Sequence, residues 1–259
     1  MFKPSVFPAP RLEQDLHVAL DYKILYEDDF LLAVEKPSPL PVHPGGRFKE
    51  KNLLSLLQRD YPGQSFYAVN RLDSETSGVV IVAKSGENAG ALGAQFERRA
   101  VKKEYQALVL GTPEPAQGMI SQKLGTRKVG SCHLRFPDPA GEEASTFYEV
   151  LKSANGFSKV RVLPLTGRTH QIRAHMAFGG HPVAGDKIYI DPDIFEQYLM
   201  FGWQGWMEEV VRYPRLALHA VWIKLLHPVY QEPIEFYSEP PEFIRLCGNS
   251  PQRTNLAEA

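Results

Sequence analysis

Tyr67-Ala68-Val69-Asn70-Arg71-Leu72-Asp73-Ser74-Glu75-Thr76-Ser77-Gly78-Val79-Val80-Ile81-Val82-Ala83 is the stretch from which the fold is read. Its two ends, 67–70 and 78–83, are aromatic, β-branched and apolar, the composition of strands. Between them lies a polar turn, Asp73–Ser77. An arginine and an acid two residues apart, Arg71 and Asp73, stand at the end of an apolar strand, in a loop closed by small hydroxyl residues and a glycine. Loops at strand ends are where reactive groups are displayed. The same residues also suit a plain turn, in which Asp73 bonds neighbouring amides and Arg71 is solvated.

Upstream, Ile24–Tyr26 and Phe30–Lys36 flank the acidic turn Glu27–Asp29 as a hairpin, 37–46 is a loop, and Asn52 caps a helix over Leu53–Arg59. Downstream, Glu87–Arg99 has the helical period, with Ala89, Leu92 and Phe96 along one side. Lys103–Leu110, Thr146–Lys152 and Ser158–Leu165 read as strands, and Thr169–Phe178 as a helix stopped by Gly179-Gly180. Leu216–Leu226 and Ile234–Tyr237 are strands joined by the turn His227–Pro233. Many strands with a few interspersed helices predict an α+β fold. The expectation is a single domain around a large mixed, mostly antiparallel sheet, with flanking helices and a central cleft. It runs over 24–245, with an aromatic-rich helical insertion at 191–215, between an N-terminal arm (1–23) and a polar tail (246–259).

Of the 259 residues, 43 % are hydrophobic and 23 % charged, enough apolar chain to bury a core without staples. Cys132 and Cys247 match no metal or redox spacing and suit a reducing compartment. Pro4, Pro8 and Pro10 break the first residues, and no segment approaches the ~20 apolar residues of a membrane span. A cytoplasmic protein without a membrane partner is expected. The net charge of −1 conceals an uneven distribution. Residues 121–135 hold Lys123, Arg127, Lys128 and Arg135 and no acid, and 158–187 hold Lys159, Arg161, Arg168, Arg173 and Lys187 against Asp186 alone. A neutral total thus hides a basic face of the kind that phosphate binding requires, unless these runs are merely solvated.

Leu165-Thr166-Gly167-Arg168-Thr169-His170-Gln171-Ile172-Arg173-Ala174-His175-Met176 concentrates cations and hydrogen-bonding groups at a helix start. Free amides and the helix dipole suit that place to a phosphate or a carboxylate. A metal reading would use His170, His175 and His181. The i, i+5 spacing of the first two separates them by about 140° around a helix, so they do not converge as an i, i+4 pair does. No metal is expected.

With these segments in view, Asn70–Gly78 resembles the H/N-R-L-D-x-x-T-S-G signature of the RluA family of RNA pseudouridine synthases. Further blocks follow in family order. Tyr26–Pro37, ending near Val42-His43, fits the opening strand into K-P; Lys103–Gly111 is similar to K-x-Y-x-A-x-x-x-G; and Thr166–His175 is similar to T-G-R-x-H-Q-I-R-x-H. His181-Pro182 and Gly185-Asp186 come next, then Leu218-His219-Ala220 and His227-Pro228. Asn70 stands where histidine is commoner, and the residues before Ile24 leave no room for the small RNA-binding domain of some members.

The resemblance implies a pseudouridine synthase catalytic domain that isomerises uridines of a structured transfer or large-subunit ribosomal RNA, working as a monomer without cofactor. It implies Asp73 as the catalytic nucleophile, Arg168 as the cation paired with it, and Tyr105 as the residue that stacks on the target base and shares in proton transfer at C5. Ile172 becomes the facing apolar wall, and Arg71 fills the space left by the flipped nucleotide or holds phosphate. Thr76, His170 and Arg173 join the RNA contacts, as do Lys123, Arg127 and Lys128 from the charge pattern. Two other readings stand beside this one. A non-catalytic RNA-binding protein of the same fold would not need Asp73, Tyr105 and Arg168 together, and a nucleoside hydrolase would release uracil.

Overall fold

The computed structural model describes residues 18–45, 48–130 and 132–242. Most of the expected arm and the whole of the expected tail lie outside them. β1 (Lys23–Glu27) and β2 (Leu31–Lys36) form the expected hairpin. Asp28 closes its turn by accepting hydrogen bonds from the amides of Phe30 (2.7 Å) and Leu31 (2.8 Å). Asn52 caps α1 (Leu53–Asp60) by accepting from the Ser55 amide at 3.0 Å. β3 (Tyr67–Ala68) is shorter than its sequence suggests, because the Asn70 side chain takes over from the ladder. Its Oδ1 accepts from the Ile81 amide at 2.7 Å.

β4 (Ser77–Ala83), α2 (Gly86–Glu97) and β5 (Lys102–Leu110) follow, then β6 (Gln117–Ser121) and the hairpin of β7 (Leu124–Val129) and β8 (Cys132–Pro137). That hairpin occupies the basic stretch 121–135. β9 (Ser145–Ala154), β10 (Phe157–Pro164) and α3 (Gln171–Phe178) lead to the stretch 191–215, which holds α4 (Pro192–Phe201) and α5 (Met207–Val211). β11 (Leu218–Leu226) and β12 (Pro233–Tyr237) end the fold.

The main sheet has ten strands in the order β1-β2-β4-β11-β5-β10-β9-β6, with β12 on β11 and β3 on β4. β4 and β11 run parallel and the other pairings are antiparallel, so the sheet is mixed and the fold α+β, as expected. β2 and β4 are covered on both faces, which is why they read as continuous apolar runs rather than as alternation. Leu32, Val34, Val80 and Val82 pack toward Leu53 and Leu57 of α1, while Leu31, Ala33, Val79 and Ile81 pack toward Leu92 of α2. Each of the valine, leucine and isoleucine side chains contributes about 1.5–3 kcal/mol by leaving water. A third core sets Ile172 and Met176 of α3 against Val109, Val160 and Val162. Tyr105 packs at the edge of the first and third of these cores.

Gly78 allows β4 and β11 to meet. Its φ is +115°, and a Cβ there would come within 2.2 Å of the Ala220 carbonyl oxygen. Among the described residues no helix is long and apolar enough to cross a membrane.

Candidate active site

The β3–β4 loop is fixed from several sides. The Thr76 amide bonds the Asp73 carbonyl (3.1 Å), the Leu40 amide bonds the Ser74 carbonyl (2.8 Å), and the Ser38 hydroxyl donates to the Glu75 carbonyl (2.7 Å). Lys36, fully buried, donates to the carbonyls of Pro37 (2.8 Å), Leu40 (2.7 Å) and Ser74 (3.1 Å). Burial pushes its pKa down to about 7, against the pull of the Asp73 and Glu75 carboxylates. Lys187, from the far side, pairs with Glu75 at 2.7 Å.

Asp73 emerges from this loop with 23 % of its side chain exposed, facing Arg173 on the first turn of α3. Arg173 Nη1 lies 2.9 Å from Asp73 Oδ2. The remaining edge of the guanidinium grips Asp186 twice, Nε to Oδ2 at 2.7 Å and Nη2 to Oδ1 at 2.8 Å. Asp186 is 0 % exposed and also accepts from the amides of Ile188 (3.0 Å) and Tyr189 (3.1 Å). A rigid carboxylate thus aims a planar cation, and the cation aims Asp73.

Burial opposes a charge on Asp73. It is outweighed by His170 where that ring is protonated, by the charge and hydrogen bond of Arg173, and by Arg71, so the pKa lies below the usual carboxylate range. His170 Nε2 is 3.6 Å from Asp73 Oδ2, yet burial and then Arg173 push the imidazole down to about 4. At neutral pH His170 is therefore uncharged, and the permanent guanidinium of Arg173 keeps Asp73 ionised.

This corrects the pairing read from the sequence. Arg168 binds Glu142 Oε1 (3.0 Å) and the Glu143 carbonyl (3.2 Å), not Asp73. Arg173, expected among the RNA contacts, is 4 % exposed and engaged by two carboxylates. The cause is local. The chain takes a left-handed step at His170 (φ 55°), so α3 begins at Gln171 rather than at Thr169, and Arg168 is left on the preceding loop. Gln171 fixes that step by accepting from the Thr166 hydroxyl (2.6 Å) and the Arg168 amide (3.0 Å) and donating to Ser145 and Thr146. Asp186 was legible as the lone acid in a cationic stretch; nothing in the sequence assigned it to Arg173.

Asp73 opens into a cleft of about 460 Å³, lined also by Arg71, Thr76, Tyr105, His170, Ile172 and Leu218. Burial, and then the Asp73 carboxylate, raise the pKa of Tyr105, which is a neutral phenol. Lys123, Arg127 and Lys128 do not line the cleft. Lys123 pairs with Glu143 (2.9 Å), and Arg127 and Lys128 are exposed on β7. Their hairpin stands beside the site, since the Arg135 amide donates to the hydroxyl of Tyr189 (3.0 Å), whose ring lies 5.3 Å from the Arg173 guanidinium.

Other histidines of the fold also have bonded rings. His175 bonds Thr146 (2.9 Å) and the Gln122 carbonyl (3.0 Å), His181 bonds the Leu110 carbonyl (2.9 Å), and His219 bonds Ser77 (2.9 Å) and Ser238 (3.0 Å). Among the described residues no group of His, Cys, Asp and Glu is placed to hold a metal ion.

A family model described as RNA pseudouridylate synthase matches residues 30–178. The dual-specificity RNA pseudouridine synthase RluA of Escherichia coli (strain K12) is 36 % identical over 222 residues, 85 % of this chain and 93 % of the relative. The ribosomal large subunit pseudouridine synthase D of Vibrio cholerae is 35 % identical over 228 residues, 86 % of this chain and 68 % of the relative. The solved structure of human RNA pseudouridylate synthase domain containing 1 matches with a TM-score of 0.68 at 28 % identity, covering 89 % of this chain and 88 % of that one.

Proposed function

This chain belongs to the RluA family of RNA pseudouridine synthases and is an isomerase that converts uridine to pseudouridine in RNA, and we propose that Asp73 is the group through which it does so. The observation that carries this assignment is the linked array Asp186–Arg173–Asp73 opening into the cleft beside Tyr105. The reaction breaks the C1′–N1 bond, forms a C1′–C5 bond, releases the C5 hydrogen as a proton and returns a proton to N1. It requires an ionised carboxylate to take up bonding or charge as the base detaches, and Arg173 keeps Asp73 in that form.

The cleft volume, about 460 Å³, lies within the range of small-ligand sites. A uridine reaches it by leaving its stack, at a cost of a few kcal/mol offset by stacking and backbone contacts. We assign the stacking to Tyr105, the apolar wall to Ile172, and the vacated space or an adjoining phosphate to Arg71. The substrate we assign is a folded transfer RNA or large-subunit ribosomal RNA; the second is the class named in the D-type relative. Arg127 and Lys128 on the β7–β8 hairpin extend the RNA surface. We assign this action to a monomer and place it in the cytoplasm.

RNA tritiated at uridine C5 tests the reading. Isomerisation releases tritium to water while the base stays attached through carbon, so digestion yields a C-nucleoside. Release of free uracil would mean hydrolysis, and no tritium release from either RNA class would remove the substrate assignment.

A further inference from the structure

Lys103 is a cation of the cleft for which the chemistry above finds no use. It precedes Tyr105 by two residues on β5, and strand alternation puts both on one face. Glu104, between them, pairs with Arg161 (2.9 Å). Lys103 is half-buried, its ammonium 5.8 Å from the centre of the Phe96 ring. A Cβ built on Gly167 would lie 3.6 Å from the same nitrogen, so the ammonium sits between the end of α2 and the loop before α3. Among the described residues no carboxylate lies within ion-pair distance of it, and burial lowers its pKa unopposed.

Arg99, which lines the same cleft, has an unusual backbone. α2 ends with the Arg99 amide bonded to the Phe96 carbonyl (3.1 Å) and the Ala100 amide to the Gln95 carbonyl (2.9 Å). This is a helix end in which the left-handed residue is ordinarily glycine. Here that residue is Arg99, at φ 57°, and it lines the cleft together with Lys103 and Phe96. The acids lining the cleft are Asp73, engaged by Arg173, and Glu97, which pairs with neither cation. A cationic side chain at a position that favours glycine, lining the same cleft as a half-buried cation without an acid, marks a place for an anion brought from outside.

We propose that Lys103 and Arg99 form a phosphate subsite, holding the RNA backbone next to the uridine that enters over Tyr105. The subsite rests on the cleft being the uridine site. Phosphate replaces the water that half-burial has already partly removed from Lys103, and the exposed Arg99 adds a second donor set from the helix end. Both residues hold the strand and take no part in the bond changes at C1′.

Binding of pentauridylate, and of its uncharged methylphosphonate analogue, is measured in the Asp73→Asn background across a salt series. Adding Lys103→Met is expected to weaken pentauridylate binding about tenfold and to flatten the slope of log K against log salt by about one unit, as one lost phosphate contact does. Lys103→Arg is expected to restore both. Adding Arg99→Gly relieves the backbone, so it should raise the melting temperature while also lowering the salt slope. The uncharged analogue should bind all variants alike. Unchanged affinity and slope in the Lys103→Met and Arg99→Gly variants would overturn the subsite, as would an equal loss on the uncharged analogue. Failure of the Asp73→Asn parent to bind pentauridylate at all would remove the uridine cleft itself, and the subsite with it.

Discussion

Replacing Arg173 by methionine keeps much of the side-chain volume and deletes the guanidinium that joins Asp73 to Asp186. Three hydrogen bonds of 2.7, 2.8 and 2.9 Å are lost, and two carboxylates remain without their cation. Asp186 is 0 % exposed and bears most of the consequence; Asp73, with 23 % of its side chain in contact with solvent, bears less. Removing one partner of a buried pair costs about 3–5 kcal/mol. At about 2–4 °C per kcal/mol for a domain of this size, the melting temperature should fall by roughly 6–20 °C. The pH dependence follows from the direction of the shift. Asp73 titrates below its ordinary value in the wild type, so the stability it contributes is present above the unfolded value and is lost as pH falls through the folded one. Without Arg173, burial becomes the dominant influence and the pKa rises. The acid limb of kcat/KM should therefore move to higher pH, with activity at pH 7 down by at least ~10²-fold. The double variant Arg173→Met with Asp186→Asn separates the two effects: asparagine Oδ1 still accepts from the Ile188 and Tyr189 amides without a buried charge, so much of the stability should return, whereas Asp73 still lacks its cation and activity stays low. Thermal melts and tritium release from pH 4 to 9 measure both. A single variant with wild-type melting and a wild-type acid limb would refute the reasoning.

Arg168 lines the cleft but does not pair with Asp73, so Arg168→Ala should change kcat/KM no more than a few-fold, its half-exposed pair with Glu142 contributing about 0–1 kcal/mol; a loss comparable to that of Arg173→Met would restore Arg168 as the cation that keeps Asp73 ionised. Gly78→Ala forces a Cβ to within 2.2 Å of the Ala220 carbonyl oxygen at a φ of +115°, and should destabilise by at least ~2 kcal/mol in a denaturant titration. Joint neutralisation of Lys123, Arg127 and Lys128 should flatten the salt slope of RNA binding by about two units rather than three, since Lys123 is already paired with Glu143. Turnover at saturating RNA should hold, and a triple variant with the wild-type slope would detach the β7–β8 hairpin from the RNA surface.

What the sequence made legible was local. The β1–β2 hairpin, the Asn52 cap and the turn around Asp73 are each specified by residues a few positions apart, and the structure has them where the pattern put them. Leu124–Val129 carries no clear alternation and Cys132-His133-Leu134-Arg135-Phe136 alternates over only five residues, while the apolar partners of Leu134 and Val129 are Ile188, Tyr189 and Phe195, more than fifty positions away in the chain. The stretch therefore read as charge alone. The assignment of Arg168 to Asp73 came from the family resemblance, and no contact a few residues away in the sequence distinguishes it from Arg173. What places Arg173 rather than Arg168 opposite Asp73 is a helix that begins at Gln171, after the left-handed His170. Histidine tolerates that conformation better than most side chains, but nothing in the surrounding sequence demands it there. Asp186 orders the site from thirteen residues beyond Arg173, through a contact made only when α3 packs against the segment following Gly185.

The most direct measurement is single-turnover tritium release by the Asp73→Asn variant, with the affinity for the same RNA measured beside it. Asparagine preserves size and can still accept from Arg173 Nη1, but it carries no charge and is a far poorer nucleophile. Release should fall by at least ~10³-fold while the Kd changes less than about threefold, since what is lost is made only in the transition state. Substantial turnover by this variant, or a loss explained entirely by weakened RNA binding, would contradict the assignment of Asp73.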